Sequence, residues 1–212
     1  MTLVNAWYGG RPYSAARDHP IQGIRAMDIN EAIAARRAVR EYTAEQVDEA
    51  TIKRLIDAAV HAPSAVNQQP WGFTVVRDQH ALDRLSNEAK AHVLATMMGN
   101  PHAEQFRAHL SDPRFHLFYH APVLILISAR SELPWGVEDC TLAAENLMLA
   151  ACAAGLGSCW IGLTQGFLNT PEGKRLLDLP DAWMPVAPII VGHPRAVPPP
   201  VPRNAPVVRW IG

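Results

Sequence analysis

The sequence predicts an α+β fold built around a mixed sheet, and three observations carry that expectation. Two short apolar runs rich in branched residues, PVLILIS at 122–128 and PVAPIIVG at 185–192, have the composition of strands. Around them lie longer segments with apolar residues at helical spacing, such as VEDCTLAAENLMLAACAA at 137–154. The 212 residues, 49% hydrophobic and 18% charged, can bury one sizeable core without dividing. The expected organisation is an N-terminal arm over 1–27 and a single domain over 28–212.

The arm carries Gly9, Gly10, Pro12 and Pro20 without periodicity, so it reads as a segment that is ordered only by docking. Asp28 followed by Glu31 resembles a capping box, and Ile29, Ala32, Ile33 and Val39 keep helical spacing, interrupted by Arg36; this predicts a helix over 29–39. Thr43 with Gln46 is a second start signal, ahead of the stripe Ile52, Leu55, Ile56 and Ala59, for a helix that ends before Pro63. WGFTVVRD alternates in the manner of a half-buried strand. A helix over about 79–98 follows.

Residues 99–120 are polar, broken by Pro101 and Pro113 and studded with His and Phe, the character of an irregular excursion that covers a site. PVLILIS predicts a fully buried strand. The segment 137–154 is apolar almost all round, marking a helix in the core or a subunit interface, with Gly155 as its stop. Thr170 with Pro171 opens a short helix. The prolines inside PVAPIIVG place that strand at a sheet edge, and the proline-rich tail PRAVPPPVPRNAPVVRW is suited to reach across onto a second subunit.

Nineteen basic against twenty acidic side chains give a net charge of −1, so no global field gathers nucleic acid or an anionic membrane. Cys140, Cys152 and Cys159 form no CxxC pair and are odd in number, which suits a reducing, cytoplasmic setting. The amino terminus lacks the basic and apolar regions of an export signal, and no run is long enough to span a bilayer.

Against that neutral background ARRAVREY stands out. If the helix runs to 39, Arg36 and Arg40 lie one turn apart, and two guanidinium forks converging on one side suit a phosphate monoester. A solvated helix end would show the same pattern. The loop APSAVNQQPW, 62–71, holds Asn67, Gln68 and Gln69, whose donors and acceptors match the edge of a flavin or purine ring, although turn-capping amides also account for them. GLGSCWIGLTQG, 155–166, has four glycines that allow backbone to approach a flat ligand or to pack tightly. It follows a helix rather than a strand, so it is not a dinucleotide fingerprint. His102, His109, His116 and His120 raise the possibility of a metal, but Pro113 interrupts their phase and no recognisable ligand spacing results; none is expected. Cys159, beside Gly157, is a second rival as a nucleophilic thiol, without an identifiable activating partner.

RRAVREY, APSAVNQQPW, AAENLMLAACAAGLGSCWIGL and PIIVGHP occur in the order and approximate spacing of the nitroreductase family, which the chain resembles from about Asp28 to its end. The resemblance implies an α+β homodimer with a central, mostly antiparallel sheet completed by the partner's C-terminal segment, and FMN at the subunit interface. It implies that Arg36, Arg37 and Arg40, with Arg203 of the tail, hold the FMN phosphate and ribityl region. Pro63, Ser64 and Ala65 would touch the flavin from the other subunit, Asn67 would face its ring, and Trp160, Ile161, Gly162 and Leu163 would form the backbone strip beside its N5 and O4 edge.

Ala38 departs from the family pattern, which usually has Ser, and removes one hydroxyl donor to the cofactor. Gly162 stands where many relatives place a side chain. The implied chemistry is hydride transfer from NADH or NADPH to the flavin and on to a nitroaromatic, a quinone or a similar small acceptor, with no catalytic side chain of its own. The family also contains dehalogenating, heterocycle-oxidising and flavin-fragmenting members, and a flavin-binding protein without NAD(P)H turnover is a further alternative.

Overall fold

The computed structural model describes residues 27–96 and 106–212. The expected arm, apart from its last residue, and His102 lie outside the described residues.

Helix α1, Ile29–Ala35, opens on the expected capping box: the Glu31 N–H donates to Asp28 Oδ1 at 2.9 Å and the Asp28 N–H to Glu31 Oε2 at 3.1 Å. It stops four residues short of the expected 39. Arg36 turns out of the helix at φ −55°, ψ 131°, because the next backbone groups have a better use: the Val39 N–H donates to Ser158 O at 3.0 Å. The three arginines therefore lie on an extended segment and not on one helix face.

Helix α2, Glu49–Val60, ends before Pro63 as expected, but its N-cap is Asp48 rather than Thr43. Asp48 accepts from both the backbone N–H (2.8 Å) and the hydroxyl (2.6 Å) of Thr51, whereas Thr43 Oγ1 serves only a local turn to Glu45 N. Strand β1, Trp71–Val76, then leads into α3, Gln79–Thr96; α4, Arg107–Ser111, precedes β2, Val123–Arg130. Helix α5, Gly136–Ala153, ends at Gly155, whose φ of +73° is the left-handed stop that the absence of a side chain allows. Strand β3, Gly157–Trp160, α6, Gln165–Leu168, α7, Pro171–Leu176, and β4, Trp183–Gly192, complete the order, with Thr170 Oγ1 accepting from the Gly173 N–H to cap α7.

The sheet runs β1-β2-β4-β3 and every pairing is antiparallel. The strand PVAPIIVG is thus internal, not at an edge. Its prolines are tolerated because the ladder is interrupted where they sit. Pro185 falls at the register shift opposite Ile127/Ser128, and β3 pairs only with Ile189–Gly192. The Pro188 carbonyl faces the side that β3 has left and accepts from the Ile161 N–H at 2.8 Å, so its missing donor points where no strand waits.

Both faces of the sheet are covered, which is why β2 reads as a continuous apolar run. Val123, Ile125, Ile127 and Ala129 point to α2 and α5, packing with Ile52, Leu55, Cys140, Ala143 and Leu147. Leu124 and Leu126 point to α3 and the 115–121 segment, with Leu82, Leu85, Leu117 and Phe118.

Candidate active site

The arginine segment lies along the outer edge of β3. Ala38 forms a parallel bridge with Ser158, and Gly157 makes the approach possible, since a Cβ there would sit 2.7 Å from Val39 Cβ. Arg36 Nε pairs with Glu145 Oε1 of α5 at 3.4 Å. Arg37 Nη1 donates to the carbonyls of Ala34 (2.6 Å) and Arg36 (2.9 Å), while its buried Nε has no partner. The Arg40 guanidinium lies over the Tyr119 ring, 5.9 Å from its centroid. The segment ends on Tyr42, whose buried hydroxyl donates to Val39 O at 2.7 Å and is pushed far up by that burial.

These cations sit beside the turn after β3. Burial raises the Cys159 thiol, with the charges of Arg40 and Arg36 acting against it, so the group stays protonated and lacks the thiolate that a nucleophile needs. The thiol donates to Trp160 O, at 3.6 Å. Beyond it, the N–H of Ile161 is taken by Pro188 and the Ile161 carbonyl by Thr164 Oγ1 at 2.8 Å, which fixes the turn. A Cβ added to Gly162 would meet nothing within 4 Å, leaving its backbone open to a flat ligand.

The loop after α2 carries Pro63, Ser64, Ala65 and Asn67. Val66, Asn67 and Gln69 all hold left-handed backbone, at φ 44°, 56° and 48°. Ser64 Oγ accepts from the Gln69 N–H at 2.9 Å, Asn67 Oδ1 accepts from Gln69 Nε2 at 3.1 Å, and the Ala65 N–H donates to Asp139 Oδ1 at 3.0 Å. Asp139, 4% exposed, belongs to the first turn of α5. The arginines act on the thiol of Cys152 near the other end of that helix. Thirteen positions at about 1.5 Å per residue separate Asp139 from Cys152 by about 20 Å, with Glu145, the partner of Arg36, between them. One protomer brings Arg36, Arg37, Ala38 and Arg40 together along β3, before the turn at Trp160–Leu163, and no hydrogen bond or ion pair among the described residues joins these arginines to the 63–67 loop. Arg203 lies in the exposed tail that also carries Val207, Trp210 and Ile211.

The nitroreductase family profile matches residues 33–193. The chain belongs to the nitroreductase family. It is 32% identical over 176 residues, 81% of this chain and 80% of the other, to a Methanothermobacter thermautotrophicus protein named for NADH dehydrogenase and NAD(P)H nitroreductase activity. An iodotyrosine deiodinase of Thermotoga neapolitana is 27% identical, over 82% of this chain and 93% of its own. Among solved structures, the FMN-bound nitroreductase of Bacteroides fragilis superposes with a TM-score of 0.77 at 26% identity, covering 87% of this chain and 99% of that one. The expected nitroreductase-like α+β fold is thereby established.

In this nitroreductase-family chain the described histidines of the excursion do not gather as a set. His116 and His120 approach one another, with ring centroids at 4.4 Å, and Asp83 of α3 joins them so that one ligand atom from each lies within 4.8 Å of the others. However, the Phe118 N–H donates to His116 Nδ1 at 3.1 Å, so in the neutral ring the proton is on Nε2, facing Asp83 Oδ1 at 3.2 Å. The lone pair a cation needs is already taken. Desolvation lowers the His116 pKa to about 4, which keeps the ring in this neutral form. His109 lies apart, against Phe115 at 5.8 Å.

Two contributors were not foreseen. Asp139 is the acidic residue on the buried side of α5, while its neighbour Glu138 is exposed; a carboxylate on an otherwise apolar stripe is the signal that pointed to it. Asn146 donates to the Ala58 carbonyl at 3.2 Å and fixes the end of α2 from which the 63–67 loop departs.

Proposed function

We propose that the protein is an FMN-dependent oxidoreductase, acting as a cytoplasmic homodimer that uses NADH or NADPH to reduce nitroaromatic, quinone or similar small acceptors. Bound FMN would supply the redox chemistry, taking up hydride at N5 and passing it on. The observation that carries the reading is the arginine segment laid along β3, with the buried and unpartnered Nε of Arg37 on that segment and the open backbone of Gly162 in the turn that follows the strand. A dianionic phosphate answers an orphaned guanidinium donor and two neighbouring cations, and a planar ring answers a bare backbone turn.

On this reading Arg36, Arg37 and Arg40 bind the phosphate and ribityl region. The turn at Trp160–Leu163 orients the ring edge through backbone N–H groups, which open its short 3-10 turn without partners inside it. The residues of the 63–67 loop close the site from the partner subunit and exclude water. That composite arrangement is supported by the lack of any hydrogen bond or ion pair, among the described residues, between the arginine segment and the 63–67 loop. It is supported too by the exposed apolar tail, where Trp210 is 92% exposed and waits for a surface to cover it. Arg203 on that tail would contribute a fourth cation across the interface. No helix among the described residues is long and apolar enough to cross a membrane, and the buried Cys140, its thiol pushed up to about 12 by burial, suits a reducing compartment.

The purified protein should be yellow, with a flavin absorption spectrum and FMN released on denaturation and identified by mass. It should oxidise NADH or NADPH when a quinone or nitroaromatic is present. A colourless protein that takes up no added FMN would overturn the assignment.

A further inference from the structure

Helix α3 carries Asp83, Ser86 and Lys90 at spacings of three and four, on one stripe. Ser86 is fully buried and Lys90 is 8% exposed, a costly arrangement unless each group is paired. All three find their partners in a single stretch of chain. Asp83 faces His116 at 3.2 Å, Ser86 Oγ accepts from the Leu117 N–H at 2.9 Å, and Lys90 Nζ donates to Phe115 O at 2.8 Å. The stretch then turns through two left-handed residues, Tyr119 at φ 51° and His120 at φ 52°, closed by Tyr119 N–H to His116 O and Ala121 N–H to Phe118 O, both 2.9 Å.

What this grip holds in place is the Tyr119 ring. Phe115 meets it edge-on, with centroids at 5.7 Å and planes at 86°, and Arg40 lies over its face. Arg36 has Glu145 as a counter-ion and Arg37 is tied to carbonyls, but Arg40 pairs with no carboxylate among the described residues. A long exposed guanidinium without such a partner samples many rotamers unless a surface restrains it, and an aromatic face within about 6 Å is such a surface.

We propose that Tyr119 is a positioning residue for the cofactor site, its ring being the platform that holds the Arg40 guanidinium ready for FMN, and that the polar stripe of α3 serves to fix that platform. The proposal rests on the FMN reading above. It gives the 115–121 segment a role in cofactor binding, where the sequence suggested only a cover over the site.

The test is a double-mutant cycle on the full-length protein, titrating stripped enzyme with FMN and following flavin fluorescence. Tyr119→Leu should weaken binding about 2- to 5-fold, the range of an exposed cation–π contact, and Tyr119→Phe, which keeps the aromatic face but gives up the hydroxyl that also meets Arg40, should recover most of it. In an Arg40→Met background Tyr119→Leu should have no further effect. An equal loss with and without Arg40, or a phenylalanine variant as weak as the leucine one, would overturn the proposal. Should the leucine variant fail to fold, Tyr119→Gln carries the same comparison. A wild-type protein that binds no FMN defeats the cofactor reading first and this proposal with it, whereas tight wild-type binding unchanged by Tyr119→Leu defeats this proposal alone.

Discussion

The Ala65 N–H donates to the Asp139 carboxylate at 3.0 Å, tying the strained loop after α2 to the first turn of α5 across 74 residues of chain. Removing the acceptor leaves a part-buried amide unpaired beside three left-handed residues. Asp139→Ala should therefore lower stability by about 1–3 kcal/mol in urea unfolding. Asp139→Asn keeps an oxygen for Ala65 and should lose less.

Gly157 lets the arginine segment lie against β3. An alanine there would place its Cβ 2.7 Å from Val39 Cβ, and neither strand nor segment can give way without breaking the Val39 N–H to Ser158 O bond. Gly157→Ala should cost about 1–3 kcal/mol, as overpacked sites do, and should weaken FMN retention on a desalting column.

Ala38 sits between two of the arginines without a polar side chain of its own. Ala38→Ser introduces a hydroxyl between the arginines and should tighten FMN binding by about 1 kcal/mol, roughly 5-fold, in a fluorescence titration. An unchanged affinity would show that the hydroxyl has no acceptor here.

Arg36→Ala combined with Arg40→Ala should abolish FMN retention while circular dichroism and the melting temperature stay near wild type. Arg36 and Arg40 are only partly buried or exposed, so their loss removes charge from a site and little from the core.

His116 titrates near 4 in the folded chain against an ordinary 6.5, because burial and the neighbouring His120 disfavour its charge more than Asp83 favours it; Lys90 adds to the unfavourable side. The unfolded chain binds this proton first as pH falls. The stability contributed by the neutral ring is therefore fully present above about 6.5 and is lost progressively down to about 4. Asp83, whose pKa is lowered chiefly by its bond from Gln79, loses its own contribution at still lower pH, in the same direction. The melting temperature should fall through this window, and His116→Asn should flatten the slope.

Much of the fold was legible because its signals are local. The Asp28–Glu31 box, the Thr170–Pro171 cap and the unbroken apolar run of β2 each specify their element within a few residues. The end of α1 was not legible, since it depends on a bond from Val39 to Ser158, 119 residues away. The place of β4 was missed for a related reason. Two prolines argue for an edge, and only the short length of β3 and the shift opposite Pro185 reveal how an internal strand accommodates them. The site motifs could be named from order and spacing, but which of them meet within one protomer depends on contacts between distant elements, such as the bridge of Ala38 to Ser158. Tyr119 and Asp139 act through a neighbour, and a single sequence holds no trace of that neighbour.

The proposal of a site shared between two subunits also bears on how the protein behaves in dilute solution. Where each protomer offers half a cradle, cofactor occupancy is linked by mass action to the encounter of two chains, and it falls with protein concentration even when free FMN is held constant. Added FMN would in turn draw protomers together, so that supply of the vitamin-derived cofactor, rather than of the polypeptide alone, would set how much assembled enzyme a cell contains.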